Sequence, residues 1–212
     1  MVIPKINYDK EMTKIINTLD GPKRILLHSC CAPCSSTCIE RLTNFFDITI
    51  LYYNPNIEPH TEYLKRKNEE IRFISEYPSI HKLDLIDCDY DNDKFLEMAK
   101  GLENEPERGK RCLRCYNLRM AYTALKAKEL GYDYFATTLT LSPLKDSQVL
   151  NNIGYALSRK YDIPYLPSDF KKQNGYKRSI ELSKEYHLYR QNFCGCKYSR
   201  KVNENVGNDI DY

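Results

Sequence analysis

Seven of the nine cysteines in this 212-residue chain stand in three tight groups, Cys30-Cys31-x-x-Cys34, Cys112-x-x-Cys115 and Cys194-x-Cys196. Long stretches of sequence separate the groups. Thiolates are soft ligands that favour zinc, copper(I) and iron–sulfur clusters. A chain that supplies paired sulfur from three remote segments is therefore expected to fold so that the three meet at one metal site. Each group also falls where a loop would join the end of a strand or the start of a helix, which suits such a convergence.

The composition permits a globular protein: 42% of residues are hydrophobic and 29% charged. The length suits a single α/β domain over residues 1–212 with a sizeable core. A mean hydropathy of −0.63 and the lack of long apolar runs argue against a membrane partner. The opening residues, MVIPKINYDKEMTKI, lack the basic segment and apolar stretch of a secretion signal, so a cytoplasmic location is expected. In that compartment thiols stay reduced, and clustered cysteines read as metal-binding or catalytic rather than as a disulfide framework. An odd count of nine also argues against full pairing.

Net charge is only +3, but the positive charge is concentrated. Arg108, Lys110, Arg111, Arg114 and Arg119 surround the middle cysteine pair. Lys171, Lys172, Lys177 and Arg178 precede the last pair, and Lys197, Arg200 and Lys201 follow it. Taken singly, each is an ordinary solvated helix face. Three basic segments beside three cysteine segments fit a polyanion, with nucleic acid the natural candidate.

Hydrophobic spacing predicts helices over residues 7–19, 35–45, 61–76, 95–99, 112–130, 146–159 and 179–187, and strands over 24–29, 48–53, 80–88, 134–138 and 163–166. Strands alternating with helices predict an α/β fold, a mainly parallel sheet flanked by helices. Ligands then bind beyond the carboxyl ends of the strands, where the first cysteine group and the loop over 137–142 both fall.

The cysteine chemistry can be weighed group by group. Cys112 and Cys115 share a helix face at a helix start, where the dipole and flanking arginines favour thiolates. Glycine between Cys194 and Cys196 lets both sulfurs turn toward one centre or two adjacent ones. Neighbours in extended backbone point apart, so Cys30 and Cys31 read as ligands of two close centres rather than of one ion. Six thiols exceed what one tetrahedral zinc needs, and three groups exceed what a metal-free dithiol couple needs. An iron–sulfur protein uses them best. Cys34 stays undecided by spacing, whereas Cys38, Cys88 and His28 read as core residues. His60, His81 and His187 carry no ligand spacing. No phosphate-binding loop or dinucleotide fingerprint is present, so the electrons must come from outside.

Five segments resemble one family: LLHSCCAPCSS at 26–36, YNPNIEPHTEY at 53–63, KGLENEPERGKRCLRCYNLRM at 100–120, TTLTLSPLKD at 137–146 and YRQNFCGCKYS at 189–199. In this order they are similar to the QueH-type epoxyqueuosine reductases. The resemblance implies an oxidoreductase of the last step of queuosine synthesis, removing the epoxide oxygen from epoxyqueuosine at the wobble position of tRNA with two electrons from an external donor. It implies an adenine nucleotide α-hydrolase-like core, a [4Fe-4S] cluster on four cysteines and a second, mononuclear iron on two cysteines and an aspartate. The six family cysteines map to Cys30, Cys31, Cys112, Cys115, Cys194 and Cys196. Some relatives carry CCAPD where this chain has CCAPC, so Cys34 stands in the aspartate's place, and Asp89 or Asp91 is the competing ligand. Arg108, Lys110, Arg111 and Arg114 are expected to meet tRNA phosphates, and Tyr116, Thr138 and Ser142 lie where a proton donor would. A tRNA thiolase on the same core is disfavoured, because HSCCAPCSS replaces its SGGxDS loop. The rival of another class is a zinc-stabilised nucleic-acid-binding module without catalysis.

Overall fold

The computed structural model describes residues 5–199. The order is α1 (Tyr8–Ile16), β1 (Lys23–His28), α2 (Ala32–Leu42), β2 (Phe46–Tyr52), α3 (His60–Glu76), β3 (Leu83–Asp87), α4 (Asn92–Ala99), α5 (Lys110–Glu129), β4 (Tyr134–Thr137), a 3-10 turn (Thr138–Leu141), α6 (Ser147–Tyr161) and α7 (Gly175–Glu185). The strands form one parallel sheet in the order β3-β2-β1-β4. The α/β expectation holds.

Strand β1 is apolar on both faces, as a central parallel strand must be. Ile25 and Leu27 join Met12, Ile39, Leu42 and Phe73 from α1, α2 and α3 on one side. Leu26 joins Met120, Ala124, Leu150 and Leu157 from α5 and α6 on the other. None of the three β1 residues is exposed, and each such burial contributes about 1.5–3 kcal/mol. Burial on both faces fixes the strand in register.

The chain moves from β1 outward to β2 and β3, then returns to place β4 on the other side of β1. The topological switch therefore lies at the carboxyl ends of β1 and β4, where open α/β sheets bind ligands. Cys30 and Cys31 follow β1 at that point, and Thr138 follows β4.

The expected strand over 163–166 shrinks to one parallel bridge between Tyr165 and Phe135. Proline at 164 and 167 removes two ladder donors there. Helix α2 begins at Ala32 rather than Ser35, with Pro33 in its first turn, a position that suits proline's fixed φ. Cys34 is thereby helical. Arg200 and Lys201 lie outside the described residues.

Candidate metal centre

The first cysteine group sits where the chain passes from β1 into α2. Cys31 is extended (φ −178°, ψ 151°) and serves as the N-cap of α2. The change of direction brings neighbouring side chains together: the Cys30 and Cys31 sulfurs are 3.8 Å apart. The sulfurs of Cys30, Cys31 and Cys34 all lie within 4.8 Å of one another. Sequence spacing alone sends Cys30 and Cys31 to opposite sides. The turn into the helix overrides that rule, so the three can serve one centre.

The triad shares its protons unequally. Hydrogen bonds from Cys31 and Cys34 hold the Cys30 thiol well below its usual range. The same bonds to Cys30 push Cys31 and Cys34 well above it. Gln191 adds an N–H from the third segment, its Nε2 donating to Cys31 Sγ at 2.9 Å. Its Oε1 is buried without a hydrogen-bond partner.

The second group begins α5, with Cys112 and Cys115 in the first two turns. Gly109 caps this helix, and a Cβ there would lie 2.6 Å from Glu105 Oε2 and 2.9 Å from the Pro106 carbonyl. Only glycine lets the polar loop fold this tightly into the helix. The Arg108 amide donates to Cys112 Sγ at 3.3 Å. The expected depression of these thiols is not what the structure shows. Burial raises Cys112, and burial followed by the Cys194 and Cys196 sulfurs raises Cys115 to about 12, against the lowering by Arg119. Desolvation outweighs the helix dipole here.

Cys196 packs with Cys115, Phe95 and Ala99 in one small cluster. Cys194 is close enough to Cys112, Cys115 and Cys196 to disfavour their ionisation. It shares the Lys145 ammonium with Cys30 and Cys34. The three cysteine groups thus converge on one region at the carboxyl edge of the sheet.

Three buried or half-buried cations stand among the sulfurs, and sequence reasoning missed two of them. Arg119 is 1% exposed; its Nη2 donates to Asn54 Oδ1 at 2.6 Å and its Nε to His28 Nε2 at 3.2 Å. The latter bond makes Nε2 an acceptor, so His28 carries its proton on Nδ1 and donates to Thr137 Oγ1 at 3.1 Å. The Tyr53 carbonyl lies 3.3 Å from the same Nε2, but a guanidinium can only donate and so fixes the tautomer. Burial, then Arg119, lowers the His28 pKa to about 3. Burial works against the charge on Lys145, yet the Cys194, Cys30 and Cys34 sulfurs hold its pKa above the ordinary value. Arg66, also 1% exposed, reaches the carbonyl of Cys194. Only Arg119 figured among the basic residues read from sequence, because a buried arginine looks like a solvated one until its neighbours are known.

The expected phosphate-binding residues divide. Arg108, Lys110 and Arg114 are exposed, and none forms an ion pair among the described residues. Arg111 is buried; its Nη1 donates to the carbonyls of Leu102, Glu103 and Glu105 at 2.9, 3.1 and 2.6 Å. Its charge is spent on shaping the loop. Asp89 is exposed, Asp91 pairs with Lys94, and neither joins the sulfur triad. Cys38 and Cys88 are core residues, as read from sequence. Thr138 Oγ1 is buried without a hydrogen-bond partner, and Tyr116 is buried with its phenol pushed upward in pKa by desolvation.

Fold and site together define an α/β protein with a thiol-lined, cation-balanced centre at its topological switch. The model of the family described as "Epoxyqueuosine reductase QueH" matches residues 25–202, and the chain belongs to that family. It is 45% identical over 203 residues to Epoxyqueuosine reductase QueH of Streptococcus pyogenes serotype M1, an alignment covering 93% of this chain and 80% of that protein. The Staphylococcus epidermidis protein of the same name is 46% identical over 202 residues, covering 92% and 85%. The Thermotoga maritima protein is 34% identical over 181 residues, covering 82% and 89%.

Proposed function

We propose that the protein reduces epoxyqueuosine in tRNA to queuosine, with a [4Fe-4S] cluster and a second iron held by Cys30, Cys31, Cys34, Cys112, Cys115, Cys194 and Cys196. The observation that carries this reading is the convergence of the three cysteine groups in a chain of this family. The donor set fits iron: seven sulfurs, three of them grouped within 4.8 Å of one another, and buried cations to balance thiolate charge. The second site then takes Cys34 in place of a carboxylate. When bound, these groups supply single electrons and a Lewis acid for the epoxide oxygen.

The chain's own residues set the rest. Arg119 and Lys145 place positive charge beside the sulfurs in a site partly closed to water, where charge is worth most. His28 is neutral and holds Arg119 in orientation. Two electrons and two protons must enter as the two epoxide C–O bonds break, leaving an alkene and water. The electrons come from an external carrier. No helix among the described residues is long and apolar enough to cross a membrane.

Anaerobic, iron-loaded protein is expected to form queuosine from epoxyqueuosine-containing tRNA with a chemical reductant. Absence of product from fully loaded protein would sink the assignment, and colourless protein with stoichiometric zinc would favour the binding module. Cys31→Ser is expected to lose bound iron, whereas Cys38→Ser keeps it, because Cys38 Sγ is buried against the Cys34 carbonyl at 3.2 Å. Iron and sulfide assays check both.

Exposed Arg108, Lys110 and Arg114 are the residues we assign to tRNA phosphates. Affinity should fall with a log–log salt slope of about −2 to −3 from these three contacts. Arg114→Gln is expected to reduce that slope by about one, read from binding isotherms at several salt concentrations. Arg111→Gln should instead loosen the loop over residues 101–110.

A further inference from the structure

Helix α3 carries a row of charged side chains whose partners lie on the segment that delivers the third cysteine group. Arg72 Nη2 donates to the Tyr186 carbonyl at 2.8 Å, and Glu69 Oε1 accepts from the Tyr189 amide at 2.7 Å. The Tyr189 hydroxyl donates to Glu62 Oε2 at 3.2 Å. The Lys65 ammonium sits 3.5 Å from the centre of the Tyr189 ring.

Arg66 reaches furthest into the site. Its Nη1 donates to the Cys194 carbonyl at 3.3 Å and its Nη2 to the Phe193 carbonyl at 3.4 Å. Nε is anchored on Glu62 Oε1 at 2.7 Å, and the guanidinium lies over the Phe193 ring at 4.9 Å. The next residue, Gly195, has φ +109°, and a Cβ there would lie 3.0 Å from Ile57 Cγ1 and 3.2 Å from Arg66 Nη1. The Glu58 amide donates to the Gly195 carbonyl at 2.9 Å. Backbone and guanidinium are packed as closely as glycine allows.

A fully buried guanidinium is costly unless its charge is matched. Burial disfavours it most strongly; Glu62 and then the Cys31 and Cys30 sulfurs restore it. Arg66 therefore grips the third cysteine group by its backbone while ion-paired to Glu62 on its own helix. Two residues before Phe193, Gln191 donates to Cys31 Sγ at 2.9 Å and ties the same segment to the first cysteine group.

We propose that Arg66 is a positioning residue of the metal centre, a buried cation that fixes Cys194-Gly195-Cys196 against the Cys30-Cys31 turn by donating to the Phe193 and Cys194 carbonyls. The third cysteine group is thereby presented before any metal arrives. The proposal deepens the reading of these cysteines as ligands and rests on it for its functional meaning.

The test is the alkylation rate of each cysteine in folded, metal-free protein, read by mass spectrometry. Arg66→Met is expected to speed Cys194 and Cys196 by about tenfold or more, since two charge-assisted hydrogen bonds no longer oppose local opening. Cys38 and Cys88 should keep their rates. Arg66→Lys retains the charge with fewer donors and should restore part of the protection. Arg72→Met, which frees the Tyr186 carbonyl and the Glu69 and Glu76 carboxylates but no group of Phe193 or Cys194, should leave Cys194 within about twofold. Unchanged rates at Cys194 and Cys196 in folded Arg66→Met would overturn the proposal. So would equal acceleration at Cys38 and Cys88, which marks general loosening. If Arg66→Met does not fold, Arg66→Lys is read the same way, since it keeps the charge but loses the paired guanidinium donors to the Phe193 and Cys194 carbonyls; no rise at Cys194 then overturns the proposal. In the loaded protein, Arg66→Met should also show weaker visible cluster absorption per chain than Arg66→Lys. The alkylation readout needs no metal or substrate, so failed turnover of the wild type would overturn the reductase reading while leaving this result to stand or fall separately.

Discussion

Arg119→Met is expected to weaken metal binding at the proposed iron centre well before it destabilises the fold. Arg119 is a buried cation that donates to two neutral groups, Asn54 Oδ1 and His28 Nε2. Its charge is matched instead by Cys115, Cys30 and Cys194 against the opposing effect of burial. In the metal-free protein, Cys115 is a thiol at neutral pH, so much of that match is missing. Methionine fills similar volume without a charge, and replacing an incompletely paired buried charge by an apolar group can be close to neutral. The substitution does leave Asn54 Oδ1 without its donor, a penalty of about 1–3 kcal/mol. Metal binding changes the balance, because ligating thiols must give up their protons and the site gains negative charge. Removing the cation at that stage should lower iron affinity about 10–100-fold, the usual effect of losing a group that supports metal ligands. Chelator competition measures the affinity, and urea unfolding of the metal-free protein measures the fold. Unchanged iron affinity would show that Arg119 only fills space.

Most of the fold was legible because a parallel sheet writes itself plainly into sequence. RILLH and ITILYY are short apolar runs bounded by turn residues, and both form central strands. Segment 163–166 misled because its apolar residues are real core positions, yet its prolines cannot complete a ladder. The convergence of three cysteine groups was legible from their number. Their pairing geometry was not, since it depends on where α2 begins. Pro33 in the first turn moves the helix start back to Ala32, which turns Cys34 toward Cys30 and Cys31. The support around the sulfurs was the least legible part. Arg66 and Arg119 sit in helices rich in exposed charge, and only tertiary packing separates a buried arginine from a solvated one. Arg111 shows the same effect in reverse, since it looks like a phosphate ligand and is instead used by three loop carbonyls.

Glu70→Gln is expected to remove most of a pH dependence that the wild-type fold carries between about pH 4.5 and 8. Glu70 lies on α3, fully buried, with Oε2 accepting from Ser29 Oγ at 3.2 Å and Oε1 unpaired. Burial first, and the charge of Cys30 as well, push its carboxyl to about 8 from an ordinary 4.5. A group whose pKa is raised on folding binds more protons folded than unfolded across that window. Its stabilising contribution is complete below pH 4.5 and is lost as pH rises through 8. At about 1.4 kcal/mol per pKa unit, the loss across the window is on the order of 4–5 kcal/mol. Glutamine has the shape of the protonated carboxyl and cannot ionise, so its curve should be flat where the wild type falls. The two proteins should be close in stability near pH 4.5 and the variant the more stable near pH 8, by urea unfolding of reduced, metal-free protein. Titration of the cysteines is common to both and cancels in the difference apart from the coupling of Cys30 to Glu70. Parallel curves would mean that Glu70 reaches solvent or a cation when it ionises. The direction of the effect follows from position: Ser29 Oγ lies 3.4 Å from the Cys31 amide at the cysteine turn. A carboxyl kept protonated there adds no anion beneath sulfurs that must themselves become negative to bind metal.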